Sequence, residues 1–167
     1  MVLMEPLVRQ FSSEDLLRLA GHIPPETLAH HRERLAWQEE KRALYLVAWR
    51  GDVVAGRATL LWESKYPQVV QRHPMGCEVN ALEAKPTGQG VGRALMQAAE
   101  DAVRARWSLS LGVAVAFTND SARRLYDRLG YRDWGVGPVC DEWDEYDEER
   151  VLVRHHADAC NYLIKDI

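Results

Sequence analysis

The segment CEVNALEAKPTGQGVGRALMQAAEDAVRAR, residues 77–106, contains the strongest local signals in the chain. Its first eight residues, 77–84, predict a strand, which the following proline and glycines end. From Val91 onward, apolar residues recur at spacings of three and four, a pattern that predicts one face of a helix. The segment is therefore predicted to form a strand, a glycine-rich turn and a helix in succession.

A second strand and helix follow in the sequence. SLSLGVAVAF, residues 108–117, is an almost continuous apolar run, as expected of a strand covered on both faces. Thr118 or Asn119 can cap the next helix, and Gly130 supplies its stop. Because strand and helix alternate twice, the sequence predicts an α/β fold.

The N-terminal part of the chain gives weaker signals. Residues 43–62 predict a hairpin of two buried strands around a Gly-Asp turn. Before it, Ser12 or Ser13 can cap one helix, and a Pro-Pro pair can open a second helix over residues 24–42. Residues 63–74, with two prolines, predict a loop.

Composition suits one compact domain over residues 1–167, since 47% of the chain is hydrophobic and 28% is charged. The net charge of −4 argues against nucleic-acid binding, which requires a concentrated basic face. The sequence has neither a secretory signal nor an apolar stretch long enough to span a membrane. We therefore expect a cytoplasmic protein that binds neither nucleic acid nor membranes.

Cysteine and histidine positions give no indication of a metal site. The three cysteines are odd in number and lie far apart, which suits a reduced compartment. The pairs His30-His31 and His155-His156 are adjacent in sequence, so their side chains do not share one face as metal ligands on a helix would. We expect ordinary surface histidines and no metal. The cysteines are Cys77, Cys140 and Cys160.

The turn TGQGVGR, residues 87–93, has the composition of an anion-binding loop. Its three glycines allow close approach of the backbone to a ligand, and the first N–H groups of the following helix have no partner within the helix. The amides of residues 89–93 can therefore hold a pyrophosphate. A simple turn between strand and helix is the alternative. No Gly-Lys-Ser/Thr follows, and the spacing is GxGxG rather than GxGxxG, so kinase-like and dehydrogenase-like loops are disfavoured.

Two motifs, PTGQGVGRAL and later NDSARRLYDRLGY, each follow a predicted strand in this order. Together they resemble the GNAT superfamily of N-acetyltransferases, and the resemblance covers residues 77–135. It implies a GNAT-like mixed central sheet of six to seven strands flanked by about four helices. It also implies an acyltransferase that uses acetyl-CoA as acyl donor. A homodimer is a further possibility.

The resemblance also assigns cofactor contacts. In the family, main-chain amides of the first motif bind the CoA pyrophosphate, although Thr87 stands where the family usually has Arg or Gln. Asn119 corresponds to a residue near the pantetheine arm, and Tyr126 to a tyrosine near the CoA sulfur; by position alone they are a helix cap and a core residue. The expected cofactor-binding residues are Leu82, Ala84, Thr87, Gly88, Gln89, Gly90, Val91, Gly92, Arg93, Asn119 and Tyr126.

The expected reaction is direct attack of a primary amine on the thioester through a tetrahedral intermediate. Tyr126 is the candidate general acid for the leaving thiolate, and a main-chain N–H near Leu82 to Ala84 is the candidate donor to the acetyl oxygen. Glu78 is the candidate base for the amine, with Glu83 as the second choice. A solvated carboxylate without a catalytic role remains the alternative for either glutamate.

The acidic run DEWDEYDEE, residues 141–149, interrupts the two or three strands expected from Tyr131 onward. Such a run is usually a solvated loop. The alternative is that it overhangs the acceptor site and attracts a cationic small molecule, with Trp143 and Tyr146 available for cation–π contact. A protein acetyltransferase acting on lysines or N-termini, an O-acyltransferase and a non-catalytic acyl-CoA-binding module remain open alternatives.

Overall fold

The structure, a computed structural model, describes residues 4–147 and 149–167. These residues form eight strands and five helices. In chain order they are β1 (Leu7–Gln10), α1 (Ser13–Leu19), α2 (Pro25–Glu39), β2 (Ala43–Arg50), β3 (Val53–Leu61), α3 (Pro67–Arg72), β4 (Gly76–Ala84), α4 (Val91–Ala105), β5 (Ser110–Ala116), α5 (Asp120–Arg128), β6 (Arg132–Asp133), β7 (Val139–Tyr146) and β8 (Leu152–Asp166).

All eight strands belong to one mixed sheet. Its order is β1-β2-β3-β4-β5-β8-β6, and β7 pairs with β8. The pair β4–β5 is parallel and the other described pairs are antiparallel. The predicted mixed α/β fold is confirmed. The small excess over the predicted numbers comes from short elements such as β6 and α3, which have weak sequence signals.

Helices cover both faces of the sheet. One face packs against α4, whose residues Leu95, Met96 and Ala99 are fully buried against alternate residues of β2 to β5. The other face carries Tyr45, Val47 and Trp49 of β2, which cluster with apolar residues of α1 and α2. Because side chains alternate along a strand, these two clusters lie on opposite sides of the same strands. We call them the α4 face and the α2 face.

The strands β4 and β5 separate halfway along their length. Their parallel pairing extends only from Gly76–Val79 opposite Ser110–Val113. Beyond this point β4 contains a bulge, where the register with β3 shifts and Ala81 has a positive φ of 54°. A bulge bends a strand away from its neighbour. The resulting gap in the middle of the sheet positions the candidate site.

Several predicted elements are confirmed and others are wrong. Ser12 caps α1 through a capping box, and the hairpin over residues 43–62 is present as β2 and β3. The loop predicted for residues 63–74 contains α3, which begins at Pro67 and buries Val69. The strand β1 was not predicted, because four residues give too short a pattern.

The surface position expected for both histidine pairs is wrong for His31. Its side chain is 1% exposed on α2. It stacks on Phe11 with ring centroids 5.0 Å apart, and its Nδ1 lies 2.8 Å from the Tyr45 hydroxyl. Burial lowers the pKa of His31 to about 4, so the ring is neutral at pH 7. A neutral, hydrogen-bonded imidazole can be buried at little cost.

Candidate active site

The gap between β4 and β5 opens into a cleft of about 200 Å³. Its walls come from the bulged half of β4, the end of β5 and the start of α5. Glu78 and Asn80 reach it from the α2 face, whereas Tyr126 belongs to the cluster on the α4 face. The cleft therefore connects the two faces of the sheet. Its lining residues are Tyr66, Glu78, Val79, Asn80, Ala81, Leu82, Val113, Ala114, Val115, Ala116, Asn119, Ala122, Tyr126 and Asp141.

Glu78 is a buried carboxylate held by hydroxyl groups. It is 1% exposed, accepts hydrogen bonds from the hydroxyls of Ser64 and Tyr162, and faces the main-chain N–H of Lys65 at 3.4 Å. The Tyr162 bond is 2.9 Å long. Burial raises the pKa of Glu78, and the hydrogen bonds only partly counter this effect. The alternative of a solvated carboxylate is therefore wrong for Glu78.

Gly112 makes room for the Tyr162 side chain. Gly112 lies opposite Glu78 in the β4–β5 register, and the Tyr162 ring passes directly over it. A Cβ at position 112 would lie only 2.7 Å from Tyr162 Cε1. Any side chain here would push the ring aside, so the glycine is required for the hydrogen bond between Tyr162 and Glu78.

Tyr126 and Asn119 approach the cleft from α5. Asn119 caps this helix, since its side chain accepts a hydrogen bond of 3.1 Å from the Ala122 N–H. Tyr126 is 4% exposed and lies edge-on to Tyr131, with ring centroids 6.0 Å apart. Burial raises the pKa of the Tyr126 hydroxyl, so it carries its proton at neutral pH. Asn119 is therefore a helix cap and Tyr126 a core residue, as their positions predicted, and both also line the cleft.

The glycine-rich turn has the geometry of an anion-binding loop. Gly88 and Gly90 adopt positive φ angles of 77° and 79°, and a Cβ at either position would meet nothing within 4 Å. The first main-chain bond into α4 runs from the Ala94 N–H to the Gly90 carbonyl. The N–H groups of residues 91–93 therefore have no partner within the helix. Gly92 has a different role, because a Cβ there would lie 3.0 Å from Leu125 of α5.

Arg50 links the end of β2 to this turn. Its guanidinium donates hydrogen bonds to the side-chain oxygen of Gln89 and, at 3.1 Å, to the Gln89 carbonyl. Its Nε donates to the Met4 carbonyl at 3.2 Å. This cation from a distant strand therefore stabilises the turn. In the same turn, Thr87 occupies the position where the family usually has Arg or Gln.

Glu83, the second candidate base, lies outside the cleft. Its carboxylate pairs with Arg57 at 2.7 Å and with Lys85 at 2.6 Å. The pKa of Glu83 is lowered, because these cations together outweigh the desolvation of its carboxylate by burial. It lines a separate cavity of about 370 Å³ between the α1–α2 connection and β3. The structure does not bring Glu83 together with Tyr126.

Most of the acidic run forms a hairpin rather than a loop. Residues 141–146 belong to β7, which pairs with the first half of β8. Asp144 and Glu145 contact His155 and His156 across the hairpin at 2.7 Å and 2.8 Å. Among the described residues of the run, Asp141 alone lines the cleft, where it contacts Lys65 and accepts a 3.0 Å hydrogen bond from Tyr66. The predicted loop is wrong because the cross-strand pairs stabilise an extended ribbon.

Sequence reasoning missed several residues of the site. They are Ser64 and Tyr162, which surround Glu78, and Arg50, which contacts the turn. None belongs to a motif, and each is brought to the site by the tertiary structure; Asp141, by contrast, belongs to the acidic run that the sequence offered as a candidate. The one sequence feature that could have indicated a close approach of another side chain is Gly112, a small residue between apolar neighbours.

The chain is similar in fold to solved acetyltransferase structures. It superposes on an N-acetyltransferase from Staphylococcus aureus Mu50 with a TM-score of 0.68 and 14% identity, over 98% of this chain and 99% of the other. A phosphinothricin acetyltransferase from Sinorhizobium meliloti in complex with acetyl-CoA gives a TM-score of 0.66 and 16% identity, over 98% and 89%. A ribosomal-protein-alanine N-acetyltransferase from Brucella melitensis gives 0.63 and 21%, over 96% and 99%.

Comparison of sequences identifies a family but no individual relative. No curated protein sequence matches the chain. Within the part of the chain that the structure describes, no helix is long and apolar enough to cross a membrane. The sequence profile of the Acetyltransferase (GNAT) family matches residues 13–131, well over half of the chain. On the evidence of this match, the glycine-rich turn and the divided sheet, the chain belongs to the Acetyltransferase (GNAT) family.

Proposed function

We propose that this enzyme transfers the acetyl group of acetyl-CoA to a primary amine in the cleft between β4 and β5. One observation carries the proposal. A buried carboxylate with a raised pKa, Glu78, and a buried phenol, Tyr126, line the same cleft from opposite faces of the sheet. Amine acylation needs a proton acceptor for the nucleophile and a proton donor for the leaving group.

The turn at residues 87–93 fits the diphosphate of CoA. Its unpaired N–H groups and the positive end of α4 favour a negatively charged ligand, and Gly88 and Gly90 leave open space beside the backbone. Main-chain groups of Gln89, Gly90, Val91, Gly92 and Arg93 would hold the diphosphate, with Asn119 and Tyr126 further along the cleft. Acetyl-CoA supplies an acyl group activated as a thioester.

Glu78 takes the proton of the attacking amine. An alkylammonium group has a pKa near 10.4, so a nearby base must accept its proton before attack. Burial raises the pKa of Glu78 towards neutrality, which improves the carboxylate as a base. The hydroxyls of Ser64 and Tyr162 fix the orientation of the carboxylate. Asp141 lines the same cleft but is paired with Lys65, so the negative charge that favours a cationic amine comes mainly from Glu78.

Tyr126 donates a proton to the leaving thiolate, and the proton that the acylated nitrogen must still lose restores the phenol. Its hydroxyl is protonated at neutral pH and makes no hydrogen bond to a described residue, so it is available to a ligand in the cleft. The β4 bulge leaves Ala81 and Leu82 outside the ladder with β3. The Leu82 N–H is therefore our candidate donor to the acetyl oxygen, whereas Ala84 pairs with Gly56 in the ladder.

The test is thiol release from acetyl-CoA against polyamines, amino acids, arylamines, aminoglycosides and lysine peptides, with CoA binding measured by calorimetry. Turnover with a class of small amines would support the proposal. Modification of lysines or N-termini of proteins alone would indicate a protein acetyltransferase. Tight CoA binding without turnover on any acceptor would contradict catalysis and indicate a binding module.

A further inference from the structure

Three polar side chains on the α2 face are buried without a hydrogen-bond partner among the described residues. The unpaired atoms are Thr59 Oγ1 on β3, and His30 Nε2, Arg34 Nε and Arg34 Nη1 on α2. Trp49 Nε1 is also unpaired, but it lies four residues further along β2 than Tyr45. Because buried polar groups are almost always paired in folded proteins, such a concentration of unpaired atoms points to a bound polar partner, either ordered water or a ligand.

These side chains converge around Tyr45. Thr59 lies directly opposite Tyr45 in the β2–β3 register. The His30 ring centroid lies 6.2 Å from that of Tyr45. Arg34 follows His30 by one helical turn and therefore lies on the same side of α2. The charge of Arg34 acts on both His30 and Tyr45, as their pKa shifts show.

Arg34 is a largely buried cation whose ion pair with Glu33 is long. Its side chain is 12% exposed, and its guanidinium stacks on Trp37 with a distance of 3.9 Å to the ring centroid. The neighbouring carboxylate of Glu33 is largely exposed and lies 3.8 Å from Nε, too far for a hydrogen bond. Arg57, also on this face, is already paired with Glu83. A largely buried guanidinium with unused donors favours an anion as its partner.

The uncharged members of the cluster are suited to the same ligand. Burial lowers the pKa of His30 to about 3, so its ring is neutral at pH 7 and can donate one hydrogen bond. The Thr59 hydroxyl is fully buried and can also donate. A cation with additional neutral donors is the combination that binds a carboxylate.

The cluster adjoins the proposed site of amine attack. Thr59 pairs with Asn80 across β3 and β4, and Asn80 lines the cleft beside Glu78. Directly opposed residues on neighbouring strands have Cβ atoms about 5 Å apart. The 370 Å³ cavity, lined in part by His31 and Arg57, reaches the same layer from the α1–α2 side. A ligand that contacts Asn80 in the cleft therefore lies one strand away from Thr59.

We infer that the acceptor is an amine that also carries a carboxylate, as an amino acid does, and that Arg34, Thr59 and His30 bind this carboxylate. The inference rests on the proposed function, since it concerns the acceptor of that reaction. The amine occupies the end of the site near Glu78 and Asp141, and the carboxylate occupies the end near Arg34. The two ends have opposite charge, which orients a zwitterion in one direction.

The test compares acceptors that differ only in the carboxylate. The pairs are lysine and cadaverine, phenylalanine and phenethylamine, and tryptophan and tryptamine, each assayed by thiol release from acetyl-CoA. We expect kcat/KM for the preferred carboxylate-bearing acceptor to exceed that of its partner by about 10- to 100-fold, as a charge-assisted hydrogen-bonded contact provides. Arg34→Ala should remove this preference by raising KM for the carboxylate-bearing member, whereas Arg34→Lys should restore part of it.

The exposed neighbour Arg32 provides the matched control, and Arg32→Ala should leave the preference intact. Thr59→Val removes a donor without changing the side-chain shape and should weaken the preference less than Arg34→Ala. Arg34→Ala should leave the melting temperature of the free enzyme unchanged or higher, because it removes a largely buried charge with unused donors. A structural role for Arg34 would instead lower it.

Equal rates for both members of every pair, or a preference unchanged in Arg34→Ala, would overturn the inference while leaving the proposed function intact. Absence of turnover with every amine, despite CoA binding, would instead contradict the proposed function itself. The two failures are therefore distinguishable in the same assay.

Discussion

The proposed contacts to the CoA diphosphate are main-chain groups of one continuous segment, residues 87–93, at the start of α4. On the α2 face, the polar groups come from separate parts of the chain, such as Ser64, Glu78 and Tyr162, and meet only because β4, β5 and β8 are neighbours in the sheet. A main-chain site depends on local conformation and tolerates many side chains. A side-chain site depends on tertiary packing, and each of its members is individually sensitive to substitution.

This difference matches the two tasks proposed for the two regions. The proposed donor is a single molecule, acetyl-CoA, so a site made of backbone amides suffices for its diphosphate. The acceptor must be selected from many amines, and discrimination requires placed side chains and buried charge. Substitutions that disturb the turn should mainly change cofactor affinity, and those at Tyr126 or on the α2 face should mainly change turnover and acceptor choice.

In this comparison, the largest effect on kcat is expected for a substitution of Tyr126, which lies where the two faces meet. Tyr126→Phe should lower kcat by about 100-fold or more, because it removes the proposed proton donor to the thiolate. Stability should change little, since the hydroxyl makes no hydrogen bond to a described residue. Steady-state thiol release and thermal unfolding measure the two quantities.

Tyr131→Phe is the matched control for this variant. Tyr131 packs against Tyr126 but donates its 3.0 Å hydrogen bond to the buried Glu100. Its loss should lower the free energy of unfolding by about 1–2 kcal/mol and leave kcat unchanged. Equal activity losses in both variants would indicate that Tyr126 acts through packing alone.

Gly112→Ala adds a single methyl group and should impair the acceptor site around Glu78. The added Cβ would displace the Tyr162 ring and with it a hydrogen bond to Glu78. We expect a loss of about 1–3 kcal/mol in stability from overpacking, and a fall in kcat of about tenfold. CoA affinity by calorimetry should be retained. An unchanged kcat would show that the orientation of Glu78 does not matter.

Arg50→Ala should weaken CoA binding and leave the acceptor site unchanged. Because the guanidinium holds Gln89 through two hydrogen bonds, its loss should loosen the turn and raise the Kd for CoA by about tenfold. Arg18→Ala, at an exposed position on α1, serves as the control. An unaltered Kd, measured calorimetrically, would show that the turn is ordered without Arg50.

The smallest expected effect is a gain in stability for Glu78→Gln. The pKa of Glu78 is higher in the folded state than in the unfolded state. The contribution of this group to stability is therefore greatest below its unfolded-state pKa, and it is lost as the pH rises through its folded-state pKa. At pH 7 the uncharged glutamine should be more stable than the wild type by about 1 kcal/mol. Denaturant unfolding should show this gain disappearing below about pH 4, where the wild-type carboxyl is protonated in both states.

The same contrast explains how much could be predicted from the sequence. The turn and α4 were predictable, because glycine spacing and helical periodicity are local properties. Tyr126 and Asn119 were assigned through the resemblance of their motif. By contrast, Tyr162 lies 84 positions from Glu78 along the chain and has no motif, and only the β5–β8 pairing brings it to the carboxylate. The buried states of His31 and Arg34 likewise follow from the packing of α2, whose apolar pattern is weak.

The most direct test of the central claim is the turnover of Glu78→Gln with saturating acetyl-CoA and the best acceptor. We predict that kcat falls by about 100-fold or more, because no base accepts the amine proton, while the Kd for CoA stays at its wild-type value. Glu63→Gln, at an exposed position next to Ser64 in the sequence, should match the wild type. Turnover of Glu78→Gln within a few fold of the wild type would contradict the account, since the amine would then lose its proton without this carboxylate.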